Sequence, residues 1–157
     1  MAQVTYTEYK AQEQAAFNAL PIFYAFSNDQ FEKAMQERGL TINDTDKIYK
    51  LGGTGGFYLK KDAPVIREYF NRPNKLAELM QDEQFAEEAF LYEMNNHEYA
   101  INWEGDYDVC NCFAPKTLEY GEDKDYADYL KEAGLEDCIT AYRRAKARHM
   151  KAAEDWV

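Results

Sequence analysis

The sequence predicts an α+β fold, a small antiparallel sheet packed with about six helices. Amphipathic stripes at helical spacing recur along the chain. A glycine-rich link joins two β-prone runs within residues 47–60. The elements follow one another in mixed rather than alternating order, which disfavours a parallel α/β sheet. The length of 157 residues fits a single globular domain over 1–157.

Residues 4–20 carry Tyr6, Tyr9, Ala16, Phe17 and Leu20 on one helical stripe, stopped by Pro21. The apolar run at 22–26 reads as a buried strand or an extended core segment. Ser27 has the character of an N-cap, with Gln30 completing a capping box. The helix after it presents Phe31, Ala34 and Met35, and Gly39 with Leu40 forms a Schellman end. The hairpin of 47–60 turns through Gly52 to Gly56. Asp62 and Pro64 open a helix with Val65, Ile66, Tyr69 and Phe70 on its apolar face; a short helix carries Leu76, Leu79 and Met80. A helix over 83–95 turns Phe85, Ala89, Phe90 and Met94 inward and Glu87, Glu88 and Glu93 outward. Residues 99–103 and 109–113 read as two more strands around a turn at Glu104-Gly105-Asp106. Helices follow over 123–133 and about 138–156. The last buries Ile139, Tyr142, Ala145, His149, Met150, Ala153 and Trp156, with Arg144, Arg148 and Lys151 opposite.

Charge is uneven. The net charge of −11 is concentrated in residues 78–137, where eighteen acids face three bases, whereas the segments on either side are slightly positive. Such acidity argues against direct binding to nucleic acid or to an anionic membrane. No apolar run is long enough to span a bilayer, and MAQVTYTEYK lacks the features of an export signal. Three cysteines without that signal predict reduced thiols and a cytoplasmic location.

No motif names a reaction. Gly52 to Phe57 lacks the Lys-Ser/Thr of a P-loop, and Phe57 and Tyr58 stand where a dinucleotide loop needs small residues. Ser27 is the only serine and is explained as a cap. Asp106-x-Asp108 and Asp123-x-Asp125 lack the rest of a calcium loop. Cys110, Cys112, Cys138, His97 and His149 are the soft ligands available, but C-x-C has no second pair, so buried thiols are the simpler reading. Asn95 to Tyr99 is the densest polar and aromatic cluster; helix capping accounts for it. No catalytic residue, metal ligand or cofactor is therefore expected.

Leu20 to Ser27, Asp29 to Glu32, Lys50 to Phe57 and Asn96 to Tyr99 resemble an uncharacterised family of small acidic proteins carried by bacterial mobile elements and phages, over roughly residues 15–103. The shared pattern is one of aromatic and glycine positions. The resemblance implies a genomic context whose cargo includes anti-restriction and anti-CRISPR proteins, many of them acidic and non-enzymatic. Glu98-Tyr99-Ala100-Ile101, followed by acids, is similar to a segment of acidic anti-restriction DNA mimics.

The expected function is non-enzymatic binding of a basic protein, such as a nucleic-acid-binding nuclease of a host defence system. Carboxylates would occupy a groove that otherwise holds phosphates. The residues expected to do so are Glu87, Glu88, Glu93, Glu104, Asp106, Asp108, Asp123, Asp125 and Asp128. Two alternatives stand beside this one. The first is a metal- or thiol-dependent enzyme using His97, Cys110 and Cys112. The second is a module that self-associates, as a homodimer or larger, through its 13 Tyr and 9 Phe.

Overall fold

Ser27 accepts the Gln30 N–H through Oγ at 3.2 Å, while the Gln30 side chain returns to the Phe26 N–H at 2.8 Å. The capping expectation thus holds, with the return bond made one residue further out. It starts helix α2, Asn28–Glu37. At the other end Gly39 adopts φ +74, and the Leu40 N–H reaches Met35 C=O at 2.8 Å, the Schellman closure. Local chemistry of this kind sets element boundaries throughout the computed structural model, which describes residues 4–155.

The chain gathers into two compact units, one running Glu13–Pro73, the other comprising the chain up to Gln12 together with that from Asn74 onward. Helix α1, Tyr6–Asn18, contributes residues to each. The Glu13–Pro73 unit holds the sheet. Strands β1 (Ile22–Tyr24), β2 (Ile48–Leu51) and β3 (Gly56–Leu59) pair antiparallel in the order β1-β3-β2. The hairpin turn uses Gly52 and Gly55 at φ +55 and +77, conformations that side-chain-bearing residues seldom adopt. Phe23, Met35 and Ile48 form the small core, with Phe31, Leu40, Phe57 and Leu59 packed on it. Helix α3, Ala63–Phe70, buries Ala63 and Ile66 but leaves Val65 and Phe70 exposed.

The other unit is helical. It contains α4 (Lys75–Leu79), α5 (Glu83–Asn96), α6 (Gly105–Asn111), α7 (Tyr126–Glu132) and α8 (Ile139–Glu154). Phe90, Met94, Leu130, Tyr142 and Ala145 are wholly buried in its core. Arg148 on α8 pairs with Glu87 at 2.8 Å and Glu88 at 2.6 Å on α5, and Arg144 lies 3.6 Å from Glu83. Trp156, assigned to the inner arc of the last helix, lies outside the described residues.

The α+β class is observed, but the strands expected at 99–103 and 109–113 are not strands. Tyr99–Ile101 is a 3₁₀ turn and Gly105–Asn111 is α6. Glu98 at φ +52 turns the chain sharply after α5. Asn102 then holds the bend, its amide donating to His97 C=O at 3.1 Å and to Asp108 at 2.8 Å, while its Oδ1 accepts the Glu104 N–H. Val109, Cys110 and Phe113 all bury, and this i, i+1, i+4 pattern fits one helix face but not the alternating faces of a strand. β-prone composition favours extension; side-chain bonds to the backbone offer the chain a turn instead. Among the described residues, no helix is long and apolar enough to cross a membrane.

Candidate functional site

Glu93, His97 and Cys112 converge. Their ligating atoms all lie within 4.8 Å of one another, and Cys112 Sγ is 3.3 Å from His97 Nε2. Glu93 and His97 are one turn apart at the end of α5, where His97 is the C-cap; Cys112 is the C-cap of α6. Two helix carboxyl ends, each carrying partial negative charge, thus meet at a carboxylate. Glu93 is buried, with only 3% of its surface exposed. Its Oε2 accepts the Tyr6 hydroxyl at 2.5 Å and the Lys10 ammonium at 3.2 Å, and Oε1 accepts the Asn96 amide at 3.4 Å. Lys10 also lies over the Tyr92 ring at 4.9 Å. Burial and the Glu93 bond push the Tyr6 hydroxyl far above its ordinary value. Desolvation, followed by the Glu93 carboxylate, pushes the Cys112 thiol up to about 11. A thiol so raised, at the carboxyl rather than the amino end of a helix, is not an activated nucleophile.

The sequence reading placed Glu93 on the solvent face of its helix; it is buried instead. Ala86, Ala89, Phe90 and Met94 share its side, and position outweighs residue type. The Glu93–His97 spacing of i, i+4 was the available signal that the two share a face. Cys110 departs the other way. It is wholly buried, and burial with Asp106 nearby raises its thiol. In a strand Cys110 and Cys112 would share a side; on α6, two residues apart, they point in nearly opposite directions, and only Cys112 meets His97.

A second polar centre lies around Asp106. Tyr99 and Tyr142 both donate to its Oδ1, at 2.5 and 2.7 Å. Burial is the main cause that raises both phenols; Asp106 comes next for Tyr99, and Cys110 and then Asp106 for Tyr142. Gly105 lets the Tyr99 ring approach, since an added Cβ would come 2.7 Å from it. His149 is fully buried; its Nε2 accepts the Ala100 N–H at 3.1 Å and its Nδ1 lies 2.7 Å from Asn95 Oδ1. Those two bonds suit the neutral imidazole with its proton on Nδ1, and burial lowers its pKa accordingly.

The nine nominated acids divide by what already holds each one. Glu87 and Glu88 come together on Arg148, an acid partner for the basic stripe within the chain itself. Glu93 is buried. Asp106 serves two tyrosines and Asp108 accepts from Asn102. Asp125 and Asp128 form the reciprocal capping box of α7. Glu104 and Asp123 are exposed and have no ion pair among the described residues. Glu104 adjoins the most exposed apolar group of this unit. Trp103 is 99% exposed and Ile101 77%. Tyr120, also exposed, feels the carboxylates of Glu104 and Glu122, which raise its pKa after desolvation. Composition alone does not reveal that Trp103 faces water, because its neighbours suggested a half-buried strand. In the sheet unit, Phe26, Phe31, Ile48, Lys50 and Phe57 line a groove of about 590 Å³.

Neither the curated proteins nor the solved structures contain a match to the chain. The model of a family of unknown function (DUF7659) matches residues 5–120, a span that holds Glu93, His97, Cys112 and Trp103, and the chain belongs to that family.

Proposed function

We propose that the protein is a non-enzymatic binding protein whose partner is a basic protein, engaged through Trp103, Ile101 and Tyr120 with Glu104 and Glu122 beside them. The carrying observation is the 99% exposure of Trp103. A tryptophan held in water forgoes a large burial term, and aromatic anchors of this type dominate interface energetics when covered. Acidic neighbours select the occupant. An arginine guanidinium stacks on an indole or phenol face and pairs with a carboxylate at the same time, which a lysine or an apolar group does less well. A groove that binds nucleic acid is rich in such arginines.

The mobile-element and phage context implied by the sequence resemblance favours a nuclease of a host defence system as the partner, met in the cytoplasm. In this reading Trp103 anchors the contact and unpaired carboxylates steer it. Glu87, Glu88 and Glu93 take no part, since Arg148, Tyr6 and Lys10 already hold them.

Immobilised protein exposed to host lysate tests this, with Trp103→Ala and the double variant Glu104→Gln/Glu122→Gln alongside. The expected result is retention of a basic nucleic-acid-binding protein that duplex DNA displaces. Salt at about 0.5 M should release it, because screening then acts within a few ångströms. Trp103→Ala should abolish retention. Capture that DNA and salt leave untouched, or that Trp103→Ala leaves unchanged, overturns the proposal, as does self-association through this face in sedimentation.

A further inference from the structure

We propose that Glu93, His97 and Cys112 form a mononuclear site for a divalent cation of the zinc class. The inference is independent of the partner proposed above. A thiolate, an imidazole and a carboxylate are the three ligand types zinc accepts, and three protein ligands leave a fourth position for water or another donor. Bond lengths of about 2.0–2.3 Å place the ligand atoms of a tetrahedral site roughly 3.3–3.8 Å apart. Cys112 Sγ and His97 Nε2 already stand at 3.3 Å, and all three ligand atoms lie within 4.8 Å, so modest side-chain rotation completes the set.

The electrostatics also suit a cation. A buried carboxylate requires a compensating positive charge. Lys10 supplies it at 3.2 Å, yet the Lys10 side chain is 42% exposed and sits on a flexible stem. Its ammonium can swing into water when a doubly charged ion arrives. Tyr6 and Asn96 hold the Glu93 carboxylate through hydrogen bonds, the outer support that metal-ligating carboxylates commonly have. Cys112 is exposed, so the ion has a way in and an open side. On metal binding the Cys112 S–H gives its proton to solvent and the sulfur lone pair forms the bond to the cation; nothing is oxidised or reduced.

Cobalt(II) is the probe, because its d–d and thiolate-to-metal absorptions report geometry and sulfur ligation directly. Titration of the reduced full chain should give one equivalent bound with a thiolate charge-transfer band. Cys112→Ser should remove that band, and His97→Gln, which loses a direct ligand, should weaken binding by more than the roughly 10–100-fold typical of losing an outer-shell partner, with the fold of each checked by circular dichroism. Lys10→Met should tighten binding by about tenfold, since the competing ammonium is gone. Absence of a stoichiometric cobalt spectrum, or a thiolate band that persists in folded Cys112→Ser, overturns the site.

Discussion

The sheet unit and the helical unit solve burial differently. In the Glu13–Pro73 unit the buried hydrophobic cluster is Phe23, Met35 and Ile48, with Ala63 and Ile66 of α3 also buried, and buried polar or charged side chains are absent among its described residues. The helical unit packs a much larger cluster and also buries Glu93 and His149. Burying an ionisable group requires partners fixed in place, and fixed partners require dense packing around them. So small a core does not supply that; the α5, α6 and α8 helices do. The chemistry-bearing groups accordingly concentrate where apolar mass is greatest, while the sheet unit carries a glycine turn and an aromatic groove.

The most direct way to break the comparison is Phe90→Ala. Phe90 is wholly buried and packs edge-on against Phe113 and Tyr142 at 5.0 Å each. The variant should lose about 3–5 kcal/mol by urea denaturation. It should also disorder the site of Glu93, three residues on, visible as a changed Cys112 reactivity. A loss under about 1 kcal/mol would mean this core is not packed as described.

A smaller effect separates two glycines with nearly the same backbone. Gly55 has φ +77 and Gly134 has φ +75. An alanine at either pays about 1–2 kcal/mol for the left-handed conformation. At Gly134 the added Cβ meets nothing within 4 Å, whereas at Gly55 it runs into the Phe26 ring. Gly55→Ala should therefore cost more than Gly134→Ala in the same denaturation measurement. The excess gauges how firmly Phe26 is held against the hairpin; equal costs would show that this exposed ring moves aside freely.

The gentlest probe is pH. Burial holds the His149 imidazole below its ordinary value. The unfolded chain takes up that proton first as pH falls past about 6.5, so the contribution is fully present above that pH and is lost progressively below it. Unfolding free energy measured from about pH 7.5 down to pH 5 should fall, and His149→Gln should flatten the slope. An unchanged slope would assign the acid sensitivity to other groups.

Residues whose roles are settled by near neighbours were legible. Ser27, Gly39 and the Gly52–Gly56 turn behave as read, because capping and positive-φ turns depend on a few adjacent residues. Spacing places Phe85, Ala89, Phe90 and Met94 of α5 and Tyr142, Ala145 and His149 of α8 inward, as observed, but it misses buried Glu93, and Met150, expected inward on α8, is exposed. Tyr99–Trp103 and Val109–Phe113 are β-prone in composition, yet the bonds of the Asn102 side chain favour turning. The meeting of His97 with Cys112 follows from α6 being a helix, since helix rather than strand geometry chose which cysteine faces the imidazole.

The amino-acid order alone established the mixed α+β class, the hairpin and most helix ends, since each depends on interactions spanning a few residues. Which carboxylates are spent internally, that Glu93 is buried beside His97 and Cys112, and that Trp103 stands in water were decided by packing between segments distant in the chain. The Tyr6–Glu93 bond joins positions 87 apart and the Arg148–Glu87 bond positions 61 apart. No local pattern records such meetings, because they arise only when whole helices find their places in the core.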